Sequence, residues 1–275
     1  MSPSFVTISF SLVLKFSKKL PSLYVIMKQI EVVIINWMRP ANVEKIIDAL
    51  AEQTISCTIT ICDCHPYKKY ALSEKALSTV NRLYRWTHNL GAYSRFVPLA
   101  SFDHTYTLFL DDDLLPGKKC LEGFLNAANK IGKFGILGQL GRIIDEDGIY
   151  RPIDVERRDY FLETDFIIRA YFIETKYLHN IVKYRWKLNY FEEYHLEDDL
   201  LLCASIKYYE NLPILLLPKN DDIEYLVNRE ELNTNDALSK RIDHRKRRIA
   251  FVKRLMLNGW KSINKISIDH KITNN

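Results

Sequence analysis

Apolar runs of strand length alternate along the chain with stretches whose apolar residues recur at helical spacing. Ile30-Glu31-Val32-Val33-Ile34-Ile35 is a nearly unbroken β-branched run. Such a run suits a strand buried on both faces, as in a parallel sheet. Asn36-Trp37-Met38-Arg39-Pro40 ends it, and Val43, Ile46, Ile47 and Leu50 then fall on one helical face behind Asn42, a fair N-cap. The spacing predicts a second strand over Cys57–Cys62 that ends at Asp63, a loop to Ser73, a helix to Leu83 and a short strand over Leu83–Trp86. Asn89-Leu90-Gly91-Ala92-Tyr93-Ser94-Arg95-Phe96 opens another helix, and the strand Tyr106–Leu110 runs straight into Asp111-Asp112-Asp113. Strands alternating with helices imply an α/β fold with a mostly parallel sheet flanked by helices. Ligands of such sheets sit beyond the carboxyl ends of the strands, so Asn36, Arg39, Asp63 and the Asp111–Asp113 run are expected around one crevice.

The second half is less regular. Phe134–Leu140 reads as a strand or turn, Asp145–Gly148 as a turn and Thr164–Phe172 as one β-rich run. Tyr184–Tyr194 is aromatic and basic; Glu197-Asp198-Asp199 then leads into a helix over Leu200–Tyr209, and Pro213–Leu217 is a last buried strand. From Lys240 to Leu257, basic residues surround Ile249, Phe251, Val252 and Leu255. This pattern fits a basic amphipathic helix, either packed on the domain or lying on a membrane surface. The expected organisation is an N-terminal extension over 1–26, a folded domain over 27–217 beginning at Met27, and a C-terminal basic helical segment over 218–275 with a loose tail after Asn264.

Composition narrows the classes. With 275 residues, 47% hydrophobic and 27% charged, the chain is neither disordered nor in need of disulfides to hold a core. A net charge of +5 is too small and too dispersed to argue for nucleic acid as a partner. Cys57, Cys62, Cys64, Cys120 and Cys203 form no paired metal motif and read as reduced thiols of a reducing, cytoplasmic compartment. The apolar stretch Phe5–Phe16 is too short to span a bilayer, and its positive charges follow it, which is the reverse of a secretory signal.

Three consecutive aspartates directly after an apolar strand repel one another, and a divalent cation removes that cost. In an extended stretch alternate residues share a face, so Asp111 and Asp113 are expected to point one way and Asp112 the other. Acidic residues at Glu197–Asp199 are favoured by the helix dipole alone, and they also supply a candidate general base.

Taken in order, the strand before Asn36-x-x-Arg39-Pro40, the strand before Asp63, Asn89-x-Gly91-x-x-x-Arg95, the strand before Asp111-x-Asp113, and Glu197-Asp198 at a helix start resemble the nucleotide-sugar-dependent glycosyltransferases of the GT-A fold. The likeness is nearest to family 2, with some to the exostosin-type family, and covers roughly Ile30–Tyr209. It implies a GT-A-like, Rossmann-like single domain. The donor pocket would be lined by Ile35, Asn36, Arg39, Asp63, Asn89, Gly91, Arg95 and Asp112. Asp111 and Asp113 would hold Mn²⁺ or Mg²⁺ on the diphosphate of a UDP- or GDP-sugar, and Asp198, paired with Glu197, would act as base. Trp186, His195 and Asp199 would lie toward a glycan, lipid-linked or protein-linked acceptor, with Tyr190, Phe191 and Tyr194 as stacking candidates. A late histidine, His244, is a positional candidate for the metal. The first loop departs from the family's usual Thr/Ser-Tyr-Asn, and Cys62-Asp63-Cys64-His65 replaces its usual Asp-x-x-Ser. The competing readings are a nucleotidyltransferase, disfavoured by the absence of glycine after the first strand, and a degenerate scaffold, disfavoured by the presence of both carboxylate clusters.

Overall fold

The computed structural model describes residues 30–65, 67–144, 150–153, 159–191, 197–234 and 237–263. The expected N-terminal extension, the start at Met27, the turn at Asp145–Gly148, Tyr194, His195 and the tail from Asn264 lie outside them. The first half runs β1 (Ile30–Asn36), α1 (Pro40–Ala51), β2 (Thr58–Asp63), α2 (Glu74–Thr79), β3 (Arg82–Arg85), β4 (Tyr106–Leu110) and α3 (Cys120–Ile131). The second half runs β5 (Ile136–Gly138), β6 (Gly141–Ile144), β7 (Tyr150–Pro152), β8 (Leu162–Glu163), β9 (Phe166–Ile167), β10 (Tyr171–Glu174), α4 (His179–Lys187), α5 (Asp198–Glu210), β11 (Ile214–Leu216) and α6 (His244–Leu257).

The main sheet has eight strands in the order β3-β2-β1-β4-β10-β5-β11-β8, with only β10 and β8 running against the rest. The mostly parallel α/β architecture expected of a GT-A-like chain is the one observed. A second sheet, β7-β6-β9, stands beside it. The unbroken apolar run of β1 follows from its central place. Ile30, Val32 and Ile34 pack toward Val43, Ile46 and Ile47 of α1 and Phe124 of α3. Val33 and Ile35 pack into the opposite core with Phe109, Tyr171, Leu201 and Phe251. Period-two alternation thus feeds two cores from one strand.

Several local expectations are corrected. Arg39, not Asn42, occupies the N-cap of α1, because Pro40 takes the first helical turn, where its missing N–H costs nothing. The Asn42 amide instead donates to the Asn233 carbonyl (2.9 Å). Residues 92–96 form a 3₁₀ turn rather than a helix. The run Thr164–Phe172 is two strands in different sheets, divided at Arg169, whose φ of 71° is left-handed. Helices α3 and α4 were not foreseen.

The basic C-terminal helix does form, but its apolar side is already used. Phe251, Val252 and Leu255 are buried in the core shared with α5 and β10. The side that the sequence offered to a lipid surface therefore faces protein. Among the described residues no helix is long and apolar enough to cross a membrane.

Candidate functional site

A cleft of about 490 Å³ opens at the carboxyl ends of β1, β2 and β4. Its first wall carries Ile35, Trp37, Arg39, Cys64, the 89–95 segment and Asp111–Asp113. Its second wall carries Arg142 of β6, Tyr150 of β7, Arg169, Tyr171 of β10, Asp198 and Asp199 of α5, and His244 and Arg248 of α6. The strand order places the aspartates here: β4 lies beside β1, and antiparallel β10 sets Tyr171 opposite Phe109. Gly91, with φ 63°, adopts a backbone conformation that costs glycine nothing, and its N–H donates to the Asn89 side-chain oxygen (2.7 Å).

The three aspartates do not alternate as an extended strand would. The chain turns immediately after Leu110, so Asp112 and Asp113 both meet the Arg39 guanidinium (2.6 and 3.4 Å) while Asp111 meets Arg95 (2.7 Å). The Trp37 N–H also donates to Asp112 (3.3 Å). Burial raises the Asp111 carboxyl to about 6, against the pull of Arg95 and reinforced by Asp113. Burial likewise raises Asp112 to about 7, opposed by Arg39 and reinforced by its neighbours.

Arg95 joins the two acidic clusters. It is 3% exposed, and its Nε lies 3.3 Å from Asp198 while its Nη2 donates to Asp111. Asp198 also accepts from the Tyr171 hydroxyl (2.7 Å). Burial pushes the Asp198 carboxyl above its ordinary range, partly offset by Arg95. Both contacts fall on Oδ2, and Oδ1 has no protein partner among the described residues. Asp199 is gripped at both oxygens by Arg248 (3.0 and 2.7 Å), which also donates to the Tyr150 hydroxyl (2.8 Å).

Of the residues the sequence singled out, the cleft gathers Ile35, Arg39, Asn89, Gly91, Arg95, Asp111, Asp112, Asp113, Asp198, Asp199 and His244. Six others, Asn36, Asp63, Trp186, Tyr190, Phe191 and Glu197, are placed elsewhere. Asn36 and Asp63 lie buried behind the first wall, where the Asn36 amide donates to Asp63 (3.1 Å) and to the Tyr70 carbonyl (3.1 Å). Asp63 also meets His65 (2.8 Å) and Arg85 (3.0 Å). Glu197 precedes α5 and turns away from the cleft to accept from the Tyr190 hydroxyl (3.0 Å), and burial raises it to about 7. The acidic pair at the cleft is thus Asp198-Asp199 rather than Glu197-Asp198. Trp186, 68% exposed, packs edge-on against Phe191 outside the cleft.

Sequence reasoning missed Tyr171, Arg142, Arg169 and Arg248. Only Arg248 left a signal. It occupies the first place of an i, i+3, i+4, i+7 stripe completed by Phe251, Val252 and Leu255, and an arginine in an apolar stripe implies a buried anionic partner.

The donor set fits a hard divalent cation in chemistry and charge. Asp111 and Asp113 supply oxygen ligands, and Asp113 Oδ1 is buried without a hydrogen-bond partner. Among the described residues, no three His, Cys, Asp or Glu side chains already form a cation cage, so any remaining coordination would come from substrate oxygens or water.

No family model and no curated protein sequence matches the chain. Solved structures do. Staphylococcus aureus TarS matches with TM-score 0.52 at 17% identity, over 70% of this chain and 35% of that one. TarS residues 1–349 in complex with UDP-GlcNAc matches with TM-score 0.55 at 18% identity, over 82% of this chain and 66% of that one. The chain therefore spans from about a third to just under two thirds of these neighbours. At such identity the likeness establishes a shared fold, the GT-A-like class.

Proposed function

We propose that the protein is a metal-dependent glycosyltransferase that moves a sugar from a nucleoside-diphosphate sugar to a hydroxyl acceptor. The observation that carries this reading is the meeting of Asp111 and Asp113, on the turn after β4, with Asp198, at the start of α5, in one cleft where Arg95 links Asp111 to Asp198. A neighbour of the same fold binds UDP-GlcNAc, which supports a nucleoside-diphosphate sugar as donor.

Mn²⁺ or Mg²⁺, held by Asp111 and Asp113, would neutralise charge on the departing diphosphate. Arg39 holds Asp112 and Asp113 in place, and the 89–95 segment lines the donor half. Asp198 is the general base. Its Oδ2 is fixed by Tyr171 and Arg95, and its free Oδ1 takes the proton of the acceptor hydroxyl as that oxygen bonds to the anomeric carbon and the sugar–phosphate bond breaks. A buried carboxylate with a raised pKa suits this task at neutral pH. His244 at the cleft margin is held toward its neutral, ligand-competent form by burial.

The test is calorimetric titration with UDP and with GDP, each with and without Mn²⁺, on the native protein and on Asp113→Ala. The expected result is Mn²⁺-dependent binding of one nucleotide that is lost in the variant with circular dichroism unchanged. Equal binding by the variant, or no binding of either nucleotide, overturns the reading.

A further inference from the structure

The cleft contains more arginine than its own carboxylates consume. Arg39, Arg95 and Arg248 are each ion-paired with aspartate. Arg142, Arg169 and Arg241 line the same cleft and have no carboxylate partner among the described residues. Arg142 donates to its neighbouring Gly141 carbonyl (2.8 Å) and lies over the Tyr150 ring at 6.0 Å. The side chains of Arg169 and Arg241 are exposed at the cleft and make no hydrogen bond or ion pair among the described residues.

Their position is as telling as their number. Arg142 and Arg169 belong to the second wall, with Asp198, and Arg241 lines the cleft just ahead of α6, where its carbonyl accepts from the His244 N–H (3.1 Å). Arg142 on β6 is in register with Phe166 on β9, and Arg169 lies two residues before Tyr171, which holds Asp198. Arg169 also takes a left-handed φ of 71°, a strained conformation for a non-glycine residue and one that clusters at ligand sites. Guanidinium groups present planar forks that match phosphate and carboxylate oxygens. Three of them unpaired in a concave site make a receptor for an oxyanion on the side of the base, away from the donor carboxylates.

We propose that the acceptor is itself an anion, a molecule whose reacting hydroxyl lies near a phosphate or carboxylate group that docks on Arg142, Arg169 and Arg241. This inference rests on the glycosyltransferase reading and adds the acceptor's chemical class. The arginines select the acceptor, and Asp198 beside them meets its hydroxyl.

The experiment separates the two claims by measuring binding in sequence. Full-length protein is first saturated with Mn²⁺ and UDP, or GDP where that is the nucleotide it binds, which tests the donor reading alone. Glycerol 1-phosphate, glucuronate and uncharged glycerol are then titrated into the saturated protein. The probes are repeated on a triple variant, Arg142→Gln, Arg169→Asn and Arg241→Gln; asparagine tolerates the left-handed backbone at 169. The expected result is that one of the anions binds about tenfold or more tightly than glycerol, that rising salt weakens it, and that the triple variant loses this preference while UDP affinity stays unchanged. Preference for glycerol 1-phosphate assigns a phosphate-bearing acceptor, and preference for glucuronate a carboxylate-bearing one. If neither anion is preferred over glycerol, or if the triple variant loses UDP affinity instead, the arginines do not select an anionic acceptor and the proposal is overturned. Failure to bind either UDP or GDP at the first step removes the donor reading and this proposal together.

Discussion

Arg248→Met isolates what the C-terminal helix contributes to the cleft. In the native protein the Arg248 guanidinium contacts both oxygens of Asp199 at 3.0 and 2.7 Å, with side-chain exposures of 6% and 9% for the two residues. Methionine keeps most of the stem volume beside Phe251 and Val252 but removes the charge. Asp199 is then left as a buried carboxylate beside Asp198, itself buried. Breaking a buried ion pair from one side costs about 3–5 kcal/mol, and the lost bond to the Tyr150 hydroxyl adds roughly 1 kcal/mol. Against a typical domain stability of about 5–15 kcal/mol this is a large fraction. Urea denaturation at neutral pH should show the midpoint fall accordingly, with an unchanged slope. Adding Asp199→Asn should recover more than half of the loss, because most of the penalty is the orphaned charge rather than the missing contact. Arg248→Lys should recover little, since an ammonium cannot repeat the forked geometry. A destabilisation of Arg248→Met below about 1 kcal/mol, or no recovery with Asp199→Asn, would refute the assignment of α6 as an electrostatic clamp on the acidic helix start.

Asp198→Asn should lower kcat by about 10²–10⁴ while the dissociation constant for donor stays within about twofold; a fully active variant removes Asp198 as base. Glu197 supplies a pH test. Its carboxyl is raised from 4.5 to about 7 by burial, so the folded state binds the extra proton and stability falls as pH rises through that window. Glu197→Gln should therefore gain on the native protein between about pH 4.5 and 7, by roughly 3 kcal/mol at most, and parallel stability curves from thermal melts would contradict this. Trp186→Ala should change stability by less than about 0.5 kcal/mol and transfer rate by less than about twofold, because the indole is exposed and outside the cleft; a large rise in acceptor KM would place the acceptor path over α4.

The sequence alone specified the layers, the central strands and the site at their carboxyl ends. β1 and β4 were legible because a strand buried on both faces must be apolar throughout, and a run of aspartates after one demands a compensating charge. It also carried the resemblance that anticipated the GT-A-like sheet. Tertiary structure decided the rest. The turn after Leu110 sent Asp112 and Asp113 to Arg39 and Asp111 to Arg95, which strand alternation could not foretell. Packing sent Glu197 back to Tyr190 and left Asp198 and Asp199 at the cleft, a choice between adjacent carboxylates that sequence spacing cannot make. Arg142, Arg169 and Arg248 belong to the site only because β6, the β9–β10 turn and α6, far apart in sequence, close on α5. Local pattern encodes which face of an element is buried, since that follows from its own period. Which charges meet across a cleft depends on contacts between distant elements, and these exist only once the sheet order and the packing of α6 are set.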